Sequence, residues 1–178
     1  MNYLKNLFCL LFLTSLISCN RTSSSLKGEL TAFVDTEFVI ERDSIIPFNI
    51  SSAEIDDMLR EEYKLIVYLD SLFLCSTCWQ RTISYLEHWV EQQKLGLRPV
   101  YIFKSEDISD IEFQLELRGV TIPYFIDPTG SLKRINRNFP QSESLKIFLT
   151  KDNKVLIAGS PVGNHKMAEL YISLLKER

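Results

Sequence analysis

Apolar residues in this chain follow two patterns. Short, nearly continuous runs rich in β-branched and aromatic residues alternate with longer segments whose apolar side chains recur every three or four positions. Lys64 to Asp70 is mostly apolar and reads as a strand covered on both faces. Pro99 to Phe103 and Ile122 to Ile126 read as further strands. Between the first two, Trp79, Ile83, Leu86 and Val90 form one stripe of a helix, which Gly96 ends. Glu106 to Leu117 is a second helix, with Ile108, Ile111 and Leu115 inward. Asp127-Pro128-Thr129-Gly130 stops the third strand, and Leu132 to Arg137 forms a short helix. Leu145 to Leu149 and Val155 to Ala158 are strands of a hairpin whose Asp152-Asn153 suits positive φ. The last helix opens at Asn164, a good cap, and buries Met167, Leu170, Tyr171, Leu174 and Leu175. Earlier in the chain, Thr36 to Ile46 alternates loosely and predicts one or two outer strands. Ser51 caps a helix running through Met58 to about Glu62, with Glu54 at capping-box spacing.

The order is strand, helix, strand, helix, strand, helix, hairpin, helix. Strands linked by crossovers run parallel and the hairpin adds antiparallel ones. The predicted fold is therefore α/β, a mixed central sheet with helices on both faces.

The N-terminus changes the picture. Lys5 precedes an apolar run from Leu7 to Ile17, and Ser18 precedes Cys19. A charged start, an apolar run and a small residue describe a secretory signal, and the run is too short to span a bilayer. With cysteine directly after the small residue, the segment resembles a bacterial lipoprotein signal. That resemblance implies residues 1–18 as signal, cleavage before Cys19, and lipidation of Cys19, which anchors the chain to a membrane. Residues 19–27 are then the lipidated cysteine and a flexible tether, and residues 28–178 the folded domain, with its core over 64–178. In lipoproteins of some Gram-negative groups an acidic cluster accompanies display on the cell surface; the tether has none, so the resemblance implies a periplasm-facing position in the cell envelope.

The formal charge is −3, and loss of Lys5 with the signal makes the mature chain one unit more negative. This balance gives no support for nucleic acid binding or for electrostatic adhesion to an anionic bilayer. Of the four cysteines, Cys9 leaves with the signal and Cys19 is capped, so Cys75 and Cys78 are the remaining thiols. Outside the cytosol a disulfide between them can form and persist. The pair stands where the strand from Lys64 gives way to the helix. A helix start offers unpaired N–H groups and the positive end of the dipole, which favour the thiolate of Cys75 as nucleophile. Cys78, one turn on, is placed to attack a mixed disulfide and release product. Ser76 and Thr77 are placed to donate hydroxyl hydrogen bonds to the sulfur.

The element order, with Cys-x-x-Cys heading the first long helix, resembles the thioredoxin fold. More narrowly it is similar to membrane-tethered, periplasmic thioredoxin-like lipoproteins of Bacteroidetes type. Ile122 to Gly130 fits the strand and turn inserted in that group, and Ile147 to Val155 fits its final hairpin. The resemblance covers roughly Lys64 to Arg178. It implies a thiol–disulfide oxidoreductase, reductive in direction, with protein thiols and disulfides as substrates, a membrane electron donor as a possible partner, and no cofactor or metal beyond the Cys75–Cys78 pair. Asp70 is then the candidate buried acid of a proton relay, or simply a strand-end aspartate. The place of the family's cis-proline falls on Ser144, with Pro123 as a rival register. Leu74 stands where thioredoxins often have Trp, and Thr77 where they have Pro. Trp79 is either substrate-facing or core.

Other readings stand beside this one. The pair could be a structural disulfide, or half of a zinc site with His88 or His165. The domain could be a non-enzymatic module that docks a partner. His88 and His165, the Lys133, Arg134 and Arg137 group, and Asp56-Asp57 with Glu61-Glu62 read as solvated surface.

Overall fold

Among the described residues six strands follow in chain order: β1 (Ile46–Phe48), β2 (Tyr63–Asp70), β3 (Pro99–Lys104), β4 (Tyr124–Asp127), β5 (Ile147–Lys151) and β6 (Lys154–Ala158). The helices are α1 (residues 25–33), α2 (Ser52–Arg60), α3 (Ser76–Gln92), α4 (Ile108–Leu117), α5 (Ser131–Ile135) and α6 (His165–Lys176). The structure, a computed structural model, describes residues 25–70 and 76–176, with the backbone alone for residues 76–78. The strands form one sheet in the order β1-β4-β3-β2-β5-β6. β2, β3 and β4 are mutually parallel, and β1, β5 and β6 run antiparallel to their neighbours. The mixed α/β sheet expected from the sequence is therefore present.

The steps from β2 to β3 and from β3 to β4 move sideways in the same direction. Right-handed crossovers then place α3 and α4 on one face. Ile83, Leu86, Ile111 and Leu115 pack there with α6 residues Ala168 and Tyr171 against Leu65, Val67, Tyr101 and Phe103. From β4 the chain crosses back past β2 to reach β5, so α5 lies on the other face. Leu132 joins Ile55 and Met58 of α2 and Phe33 of α1 over Ile66, Tyr68, Ile102, Phe125 and Phe148. The near-unbroken apolar run of β2 has this cause: alternate residues feed two cores.

Local signals behave as the sequence predicts. Ser51 and Glu54 form a reciprocal capping box at α2. Asp152 and Asn153 take φ 49° and 66° in the hairpin turn, and the Asn164 carboxamide accepts from the Met167 amide at 3.2 Å. Four points differ. Instead of outer strands over Thr36 to Ile46, one bridge joins Glu37 to Lys154, and β1 begins only at Ile46. The reason lies in what the backbone meets: Val39 exchanges hydrogen bonds with the buried Asn136 side chain (2.7 and 2.9 Å), which replaces a strand partner. Helix α1 begins inside the stretch expected to be tether, fastened by Phe33 and, just beyond it, Phe38, which pack edge-on against Phe148 at 5.0 and 4.8 Å. Helix α3 ends at Gln92, ahead of Gly96, because Lys94 takes φ 51° and the Leu95 amide bonds back to Val90. In α6, Leu170 is exposed, since Ala168, Tyr171 and Leu175 make the inward stripe.

Tyr171 is fully buried, and its hydroxyl lies 3.0 Å from the Ile147 carbonyl and 2.9 Å from that of Gly159. It ties α6 to both ends of the hairpin. Tyr171→Phe is expected to lower the unfolding free energy by about 1–2 kcal/mol, read as a fall in urea midpoint at unchanged m-value. Among the described residues no helix is long and apolar enough to cross a membrane. The apolar run from Leu7 to Ile17 and Cys19 lie outside the described residues.

Candidate functional site

The C-terminal ends of three parallel strands lie side by side. Asp70 of β2 is the register partner of Lys104 of β3, which partners Asp127 of β4. Such strand ends, where the direction of connection reverses, are the usual position for a site in an open α/β sheet. Here β2 is followed by the Cys75–Cys78 segment and then by α3. Ser76 is the first residue of α3, so Thr77 and Cys78 belong to its first turn. Cys75 lies outside the described residues, as do the side chains of Ser76, Thr77 and Cys78.

At the C-terminal end of β2 lies a cluster of charges. Tyr68 and Asp70, two apart on β2, share the face covered by α5. Lys133 of α5 donates to the Asp70 carboxylate at 2.6 Å and lies 5.7 Å from the Tyr68 ring centre. Lys146, immediately before β5, reaches the same carboxylate oxygen at 3.4 Å and also donates to Glu143. The side chains of Asp70 and Lys146 are 9% and 3% exposed, so this is a buried ion network rather than a surface pair. Burial alone raises the Asp70 carboxyl. The hydrogen bond and charge of Lys133, then the charge of Lys146, outweigh burial and hold it below the ordinary carboxylate value. At neutral pH this carboxylate is a poor proton acceptor, which weighs against the relay role suggested by the family resemblance.

A second polar knot lies beside the first. Asp127 is fully buried, and its oxygens accept from the Ser131 amide (2.8 Å), the Ser131 hydroxyl (2.9 Å), the Leu132 amide (3.1 Å) and the Tyr68 hydroxyl (3.3 Å). It caps α5 from four residues back, across Gly130 at φ 65°. The cap fixes α5 and thereby aims Lys133 at Asp70.

The sequence-predicted residues distribute as follows. Asp70 is at the centre of the network. Ser144 is exposed in a short turn (Glu143–Leu145), two residues from Lys146, whose carbonyl accepts from the Tyr68 amide at 3.0 Å. It stands at the same end of the sheet as Asp70. The β5–β6 hairpin on which its alignment rests is present. Trp79 is 5% exposed, edge-on to Phe103 at 5.9 Å and beneath the Arg118 guanidinium; its ring is core, not substrate-facing. Lys133 is an ion-pair partner and not part of a solvated face, while Arg134 and Arg137 are exposed. His88 and His165 are exposed. Lys146 and Glu143 went unnoticed in the sequence. The one available signal was a lysine at the head of an otherwise apolar strand. No family model matches this chain, and neither a curated protein nor a solved structure matches it.

Proposed function

We propose that this chain is a lipid-anchored, thioredoxin-like thiol–disulfide oxidoreductase of the cell envelope, working through Cys75 and Cys78. The reading rests chiefly on one observation: the central parallel strand, flanked by a parallel β3 and an antiparallel hairpin, leads through a Cys-x-x-Cys into the first turn of a long helix. The lipid anchor and envelope location rest on the Ser18–Cys19 junction.

In the reductive direction, the Cys75 thiolate attacks one sulfur of a substrate disulfide and the other leaves as thiolate. Cys78, deprotonated, then attacks the Cys75 sulfur and expels the second substrate sulfur. The substrate gains two electrons and becomes a dithiol, and the pair becomes a disulfide. A thiol or membrane electron donor must then return two electrons. Asp70, clamped by Lys133 and Lys146, contributes fixed charge and rigidity at the root of the strand.

The full chain equilibrated in glutathione buffers of graded potential, with free thiols alkylated and counted by mass, tests this. A reversible two-electron transition above about −300 mV is expected, and Cys75→Ser removes it. A pair that stays oxidised far below that potential is a structural disulfide and would sink the proposal.

A further inference from the structure

On the opposite edge of the sheet from the hairpin, a cavity of about 320 Å³ opens between β1, the start of β4 and the C-terminal half of α4. Its aromatic side is Phe48 and Tyr124, register partners whose rings stack at 5.0 Å and 5°. Its polar side is Glu112 and Glu116, one helical turn apart on α4. No lysine or arginine lines it. Among the described residues neither glutamate carboxylate makes an ion pair or hydrogen bond, and neither does the hydroxyl of Tyr124, a residue only 3% exposed. Among the described residues no buried side-chain polar atom lacks a partner, so this hydroxyl still reaches solvent, and it lines the cavity. Burial and then the charge of Glu112 hold this phenol above its usual range.

We infer that this cavity binds a guanidinium cation, of the kind an arginine side chain carries. A guanidinium has five N–H donors and no acceptor, which complements two carboxylates and a phenol oxygen. Its plane also stacks on aromatic rings. A hard dication is a poorer match, since it takes six or more oxygens and the aromatic side supplies few. The cation can belong to a protein partner or to a free small guanidine, and the experiment separates these sources.

The full chain, isotope-labelled, is titrated with methylguanidinium, with acetyl-arginine amide, with a Gly-Arg-Gly peptide and with neutral acetyl-citrulline amide. The amides of Gly119, Val120 and Thr121 are followed by NMR. Saturable shifts with a dissociation constant on the order of millimolar are expected for the guanidinium compounds, and none for citrulline. The double variant Glu112→Gln/Glu116→Gln weakens binding roughly tenfold, and Tyr124→Phe, which keeps the ring, weakens it about threefold. A peptide bound at least about tenfold more tightly than methylguanidinium identifies a protein partner, and equal affinities identify a small guanidine. Citrulline binding as well as arginine, absence of any saturable shift, or a double variant that folds and binds unchanged would overturn the inference.

Discussion

Asp127→Ala is expected to remove about 4 kcal/mol of unfolding free energy, the largest effect of any single change considered. The substitution strips the α5 cap, worth about 1–2 kcal/mol, leaves the Tyr68 hydroxyl buried without an acceptor, at about 1–3 kcal/mol, and leaves the Ser131 hydroxyl only its long contact to the Ser44 carbonyl at 3.4 Å. These contributions overlap, so they do not simply add. Asp127→Asn keeps one oxygen for Ser131 and turns a donor toward Leu132 and Tyr68, so it recovers about half of the loss. Urea unfolding of both variants at neutral pH measures this. A loss below about 1 kcal/mol for the alanine variant would mean that α5 relaxes and re-satisfies those groups elsewhere.

The second large effect is at Asp70. Asp70→Ala leaves Lys146 buried with only Glu143 as an acidic partner, and removing one member of a buried ion network costs about 3 kcal/mol. The pH dependence gives a sharper test. The folded-state value of Asp70 is depressed, so the native protein binds fewer protons there than the unfolded chain does. Its stabilisation is therefore fully present above the unfolded carboxylate value of about 4 and is lost as pH falls from there through the folded value. The stability gap between the parent and Asp70→Asn is expected to be constant from about pH 6 to 8 and to close on acidification. A gap that persists unchanged into acid would show that the carboxylate charge contributes nothing. Coupling between the two sites is also expected: because Asp127 holds α5 and α5 carries Lys133, the double variant loses less than the two single losses together.

Much of the fold was readable because its elements are long and periodic or carry local chemical signals. The stripe from Trp79 to Leu86, the Ser51–Glu54 box, the Asp152-Asn153 turn and the Asn164 cap each depend on residues within a few positions of one another. Helix α1 was missed although Leu26, Leu30 and Phe33 fall at steps of four and three, because the serine-rich lead-in masked the pattern. The charged network was not readable for a different reason. Asp70 meets Lys133 and Lys146 across 63 and 76 positions, and only the apolar strand that follows Lys146 hints locally that either lysine is buried. Only the return of the chain past β2, from β4 to β5, brings them together. Lys133 looked like solvent-facing charge because its neighbours Arg134 and Arg137 are exactly that kind of residue.

The composition of that network has a consequence for encounter. It contains two carboxylates, Asp70 and Glu143, and two ammonium groups, Lys133 and Lys146, within one knot of ion pairs. Their fields largely cancel a short distance away, so the network adds little long-range attraction or repulsion toward a charged macromolecule. A macromolecule that met this network would gain no steering from it, and its encounter would run at about 10⁵–10⁶ M⁻¹ s⁻¹ with little response to ionic strength. Any selectivity there would rest on short-range shape and chemistry rather than on long-range guidance.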